Sequence, residues 1–146
     1  MANQIRENVG AFFNVAYDSL NLAETAGATI TGEAHATANL LSAKYSMITE
    51  FNSGGAGSTI NMTTLKVYTA DNSSMTSKTL LMDVVTATTQ LVDYDTNGDK
   101  FTLSYDLNSL QGSKGFIQVE LVTAIGAGTP NFDLITTLAL EKGVTR

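Results

Sequence analysis

The chain has 146 residues, of which 15% are charged, and its 14 acidic and 8 basic side chains leave a formal net charge of −6. It is the size of one domain with room for its own core. Basic residues scattered from Arg6 to Arg146 exclude the basic stripe of a nucleic-acid or anionic-membrane binder. The absence of cysteine excludes disulfides, thiolate nucleophiles and Cys-ligated metals.

No apolar run approaches the roughly 18 residues needed to cross a bilayer as a helix. The start, MANQIRENVGAFF, lacks the apolar core and cleavage site of a signal peptide, which predicts synthesis in the cytoplasm. Thr, Ser, Asn and Gly stand where charge is missing, and these residues suit pleated surfaces and the turns between strands. A polar but weakly charged surface fits a protein packed against neighbours, and it fits an extracellular β-module equally well.

In chain order, residues 1–31 read as an N-terminal arm and first strand. Ile5 and Val9 share one side of a short helix that Gly10 would end. Phe13, Val15 and Tyr17 then alternate with polar or small residues, and Leu20 and Leu22 continue the alternation. The stretch AGATITGEA reads as a turn or a short strand. Residues 32–146 read as the β-sandwich domain.

Residues 33–51 offer two periods. Ala34, Ala38, Leu41, Tyr45 and Ile48 recur at helical spacing, whereas Tyr45, Met47, Thr49 and Phe51 alternate as in a strand. The alanine content favours the helix. Residues 52–59, rich in Gly and Ser, read as a flexible loop.

From Thr59 the pattern is β throughout. Strands are expected over 60–69, 78–85, 116–123 and 132–140, the third of them central because it is apolar on both faces. Between them, TQLVDYDTNGDKFTLSYDL reads as a hairpin turning on Asn97-Gly98 in a type I′ turn, with Tyr94 facing Phe101 and Asp95 facing Lys100. The fold class that follows is mainly β, an antiparallel β-sandwich or jelly-roll-like domain.

Candidate chemistry is sparse. Asp93, Asp95, Asn97, Gly98 and Asp99 spell DxDxNGD, the opening of an EF-hand-like calcium loop. Ser104 stands where the bidentate Glu belongs, and the hairpin register accounts for the same residues without a metal. His35, the single histidine, has no activated serine near it in sequence and reads as a surface or packing residue. Beside His35, zinc would need further nitrogen or sulfur ligands that the chain lacks, carboxylates apart. Fourteen acids permit many carboxylate pairs, but they lie mostly at turns and on polar faces, and there is no Trp on which to stack sugars. GGAGST and QGSKG fail the spacing of a phosphate loop. The expectation is therefore no enzyme, no cofactor and no resident metal.

In style the whole chain resembles the small capsid decoration, or cement, proteins of tailed bacteriophages. The resemblance rests on the cysteine-free start MANQIRENVG, the arm FFNVAYDSLNL, and polar loops such as FNSGGAGST and TADNSSMTSK. It contains no diagnostic motif, so no functional residue is carried over. It implies a non-enzymatic protein on the outer surface of a virion, made in the host cytoplasm and partnered by the major capsid protein and by copies of itself, with a homotrimer favoured. Phe12, Phe13 and Tyr17 are the expected interaction residues, on a segment (residues 2–17) expected to be separable from the sandwich. The alternative reading is a recognition module on a fibre or cell surface, binding glycan and stabilised by calcium near Asp93–Asp99.

Overall fold

A computed structural model of the protein describes residues 13–38, 40–108 and 110–142. The described residues form ten strands: β1 (Phe13–Glu24), β2 (Thr29–Thr31), β3 (His35–Ala36), β4 (Leu40–Ser53), β5 (Thr59–Ala70), β6 (Thr79–Val85), β7 (Thr89–Asp93), β8 (Lys100–Leu107), β9 (Phe116–Ala127) and β10 (Asn131–Lys142). One 3-10 turn, Leu110–Gly112, lies between β8 and β9.

All the pairings are antiparallel, and they build two sheets. Sheet I has the order β1-β10-β4-β8. Sheet II has the order β2-β9-β5-β6, with β3 also on β9 and β7 also on β5. If β2 with β3, and β6 with β7, are counted as interrupted single strands, each sheet has four. Every connection between these strands crosses from one sheet to the other except β5 to β6. That is the double-sheet arrangement of a jelly roll.

The core follows from period-two alternation. Sheet I contributes Tyr45, Met47 and Phe51 from β4, and Phe132, Leu134 and Leu138 from β10. Sheet II answers with Ile60, Met62, Leu65 and Val67 from β5, and Ile117, Val119 and Leu121 from β9. β9 is flanked on both sides, as its two apolar faces predicted.

Two expectations are overturned. The helix favoured over 33–51 is absent: the segment is β3 and the long β4. Ala43, Tyr45, Met47, Thr49 and Phe51 all turn inward, while Ile48, part of the helical stripe, is 41% exposed. Pairing along both edges of β4 outweighs the modest helix propensity of its alanines.

The expected hairpin is also absent. β7 pairs with β5 in sheet II and β8 pairs with β4 in sheet I, so the Asn97-Gly98 turn carries the chain between sheets. Gly98 has φ 87°, but Asn97 does not have the positive φ that a type I′ turn requires. Tyr94 packs edge-to-face on Phe51, with ring centroids 5.3 Å apart, instead of meeting Phe101 across a ladder. Alternation reports which side chains share a face, and it says nothing about which strand supplies the partner.

Phe12 lies outside the described residues. Phe13 and Tyr17 belong to β1 and pair with Glu141 and Thr137 of β10. A deletion of residues 2–17 therefore cuts into sheet I instead of removing a separable arm.

Candidate functional site

Among the described residues, three places stand out: a buried cluster at the break between β2 and β3, the loop between β7 and β8, and the outer face of sheet I.

The buried cluster forms where the chain passes from β2 through Gly32 to β3. Asp18 of β1 is 3% exposed and His35 of β3 is 8% exposed. The His35 Nε2–H donates to Asp18 Oδ1 at 3.0 Å, and the Thr136 hydroxyl donates to Asp18 Oδ2 at 3.3 Å. Ser19 Oγ in turn lies 2.6 Å from Thr136 Oγ1. Burial pushes the phenol of Tyr45 well above its ordinary range, and the Thr136 hydroxyl acts in the opposite direction.

Gly32 is required at the break between β2 and β3, because a Cβ there would overlap the Asp18 carboxylate. Its N–H donates to the Val119 carbonyl, and its own carbonyl accepts from Gln118. The cluster thus ties β1 and β10 of one sheet to β3 of the other. A catalytic triad needs an imidazole facing a hydroxyl, with the acid behind the imidazole. Here both hydroxyls lie on the carboxylate side, so the order suits structure. Of the surface and packing roles read for His35, its burial leaves packing, and its partner Asp18 carried no signal in the sequence.

In the β7–β8 loop, the Asp99 carboxylate accepts the N–H of Asp95 at 3.0 Å, the N–H of Thr96 at 2.6 Å and the Thr96 hydroxyl at 2.8 Å. The Tyr94 hydroxyl donates to Asn97 Oδ1 at 2.9 Å. Of the four calcium candidates, Asp99 and Asn97 therefore already have their oxygens engaged within the loop. Asp93 and Asp95 line an open cleft of about 440 Å³ with Gln90, Asp99, Lys100 and Phe101. Among the described residues no three carboxylate or imidazole side chains come together as a cation site.

The outer face of sheet I differs from both. Leu20, Ile135 and Ile48 stand side by side on β1, β10 and β4. They are 47%, 36% and 41% exposed, in one aliphatic row across three strands. Small hydroxyls flank the row, with Ser46 and Ser104 hydrogen-bonded at 2.9 Å. Exposed ion pairs between β4 and β8 lie to either side of it along the strands, Lys44–Asp106 at 3.9 Å and Lys100–Glu50 at 3.2 Å. The outer face of sheet II is laced with charge instead. Lys78 reaches Glu120 at 3.3 Å and sits 4.5 Å above the Tyr68 ring. Lys66 lies between Glu120 and Asp83 in the register.

No family model and no curated protein sequence matches the chain. Among solved structures, the chain is similar to one of the infectious bursal disease virus Gx strain at 14% identity and a TM-score of 0.43, covering 92% of this chain and 34% of that one. A structure described as CBM4 is similar at 13% identity and a TM-score of 0.42, covering 87% of this chain and 71% of that one. The Eiger TNF of S. frugiperda is similar at 12% identity and a TM-score of 0.42, covering 92% of this chain and 96% of that one. No residue or role is transferred from any of them.

Proposed function

We propose that this protein is a non-enzymatic structural component of a virion, a decoration or cement protein of a phage head shell. It acts by surface contact with major capsid subunits and with copies of itself. The observation that carries the reading is the uncovered aliphatic row Leu20–Ile135–Ile48 on the outer face of sheet I. A sheet face bordered by small hydroxyls lets another protein approach closely, and covering each aliphatic side chain contributes on the order of 1 kcal/mol. The ion pairs between β4 and β8 on either side of the row help to fix orientation more than they add affinity.

The test is co-sedimentation with empty phage heads of wild type and of a Leu20→Thr, Ile48→Thr, Ile135→Thr variant. The wild type should pellet with heads and the variant should stay in the supernatant with an unchanged urea midpoint. Equal pelleting of both would end this reading. A second reading, a calcium-assisted recognition module, is favoured by the acidic cleft at Asp93, Asp95 and Phe101. It requires a melting temperature that rises with calcium and falls with chelator.

A further inference from the structure

β8 is the outermost described strand of sheet I, and among the described residues it has a neighbour only on the β4 side. An exposed strand edge is a template for pairing, and proteins blunt such edges with bulges, breaks or short strands. The other edges of the sandwich are blunted. β1 shifts register at Tyr17/Ser19 and Asn21/Glu24 and places Ala23 at φ 53°. β2 and β3 have three and two residues. β6 and β7 form an interrupted strand with register shifts on β5. β8 has none of these features: its eight residues, KFTLSYDL, contain no proline or glycine and pair with β4 without a shift.

The β8 sequence is also complementary to itself when reversed. Turned about Leu103, Lys100 faces Asp106, Phe101 faces Tyr105, Thr102 faces Ser104, and Leu103 faces its own copy. Each of these is a favourable cross-strand pair.

The hydrogen-bond alternation agrees with this register. The Phe51 N–H donates to the Asp99 carbonyl at 3.0 Å. Continued along β8, that alternation turns the odd-numbered residues toward β4. The N–H and C=O groups of Lys100, Thr102, Ser104 and Asp106 then face the open edge. These are the residues that a two-fold centred on Leu103 sets opposite one another.

The charges alternate across the join as well. Glu50 of β4 pairs with Lys100, and Asp106 with Lys44. The row would therefore run Glu50, Lys100, the copy's Asp106, the copy's Lys44, with signs alternating throughout. On the inner face, the half-buried Phe101, Leu103 and Tyr105 would be covered by their counterparts.

We infer that β8 is a homodimerisation edge, joining two copies of this chain antiparallel about Leu103 so that sheet I continues from one molecule into the next. The contact is isologous, as a two-fold requires, and its affinity comes from main-chain pairing. It does not depend on the capsid reading, because it concerns the purified chain alone.

The test exploits the register. Lys100→Asp sets carboxylate against carboxylate at both ends of the join, and Asp106→Lys sets ammonium against ammonium at the same two places. An equimolar mixture of the two variants restores both pairs as opposite charges. Light scattering should give the wild type twice the 15.4 kDa chain mass, each variant alone the single-chain mass at the same concentration, and the mixture the double mass again. Circular dichroism of each variant checks that the sandwich is retained. A wild type that stays monomeric at the highest concentration overturns the inference, as does a dimer whose mass neither variant changes.

Discussion

Asp18 and Asp99 both hold the chain by accepting hydrogen bonds, in opposite surroundings. Asp18 is 3% exposed and joins β1, β3 and β10 through groups 17 and 118 residues away in sequence. Asp99 sits at an exposed loop and bonds residues three and four positions before it. In the interior, a polar group is stabilising only while its partners remain, because loss of one leaves an unsatisfied group away from water. At the loop, water replaces whatever is lost. The same side chain should therefore be indispensable at one position and a modest convenience at the other.

The largest expected effect is at Asp18. Asp18→Ala leaves the His35 imidazole buried without its acceptor and the Thr136 hydroxyl without one of its partners, and leaving a buried polar group unsatisfied costs about 1–3 kcal/mol for each. The urea midpoint should fall accordingly. A second replacement, His35→Phe in the Asp18→Ala background, should recover part of the loss, since removing both partners is far less costly than removing one. If the double variant is less stable than Asp18→Ala, the imidazole contributes through packing alone.

Next is Gly32→Ala. The added methyl group must displace a carboxylate pinned by His35 and Thr136, and overpacking of this kind costs about 1–3 kcal/mol. The loss should shrink in the Asp18→Ala background, where nothing occupies that space. Additive losses would mean that the glycine matters for its backbone alone.

The contrast between these two acids also shows where reading the sequence stops. The strands after Thr59 and the jelly-roll class were legible because alternation is local and inward residues such as Leu65, Val67, Ile117 and Val119 follow it. The Asp93–Asp99 loop was legible as a turn for the same reason. The pairing of β7 and β8 was not, because Tyr94 finds Phe51 and the Asn97-Gly98 turn changes sheets. The strand character of β4 is hidden because Ala34, Ala38 and Leu41 mimic a helical stripe, and only the neighbours β8 and β10 decide the matter. The Asp18 cluster left no trace, since residues 18, 35, 45 and 136 meet only when both sheets are in place.

Two threonines separate partnered from unpartnered burial more finely. Thr136 and Thr49 are both fully buried. Thr136 donates to Asp18, whereas Thr49 Oγ1 has no hydrogen-bond partner among the described residues. Thr136→Val should cost about 1–2 kcal/mol, and Thr49→Val should stabilise by about 1 kcal/mol, because an unsatisfied hydroxyl is itself destabilising. Changes of the same sign in the two urea midpoints would show that methyl packing, not hydrogen bonding, governs both positions.

The smallest effect belongs to Asp99→Ala, and its pH dependence identifies its origin. The Thr96 N–H, then the Thr96 hydroxyl, and after them the Asp95 N–H, stabilise the ionised carboxylate and hold it below its ordinary value of 3.8. A carboxyl group with a lowered folded value adds stability above its unfolded value and loses it as pH falls through the folded one. The gap between wild-type and Asp99→Ala melting temperatures should therefore be constant from neutral pH down to about 5 and close as acid protonates the group. Asp18→Ala provides the internal comparison in the same titration at neutral pH, where its gap should be several times wider. A gap at Asp99 that stays open in strong acid would mean that the loop is held by the shape of the side chain and not by its charge.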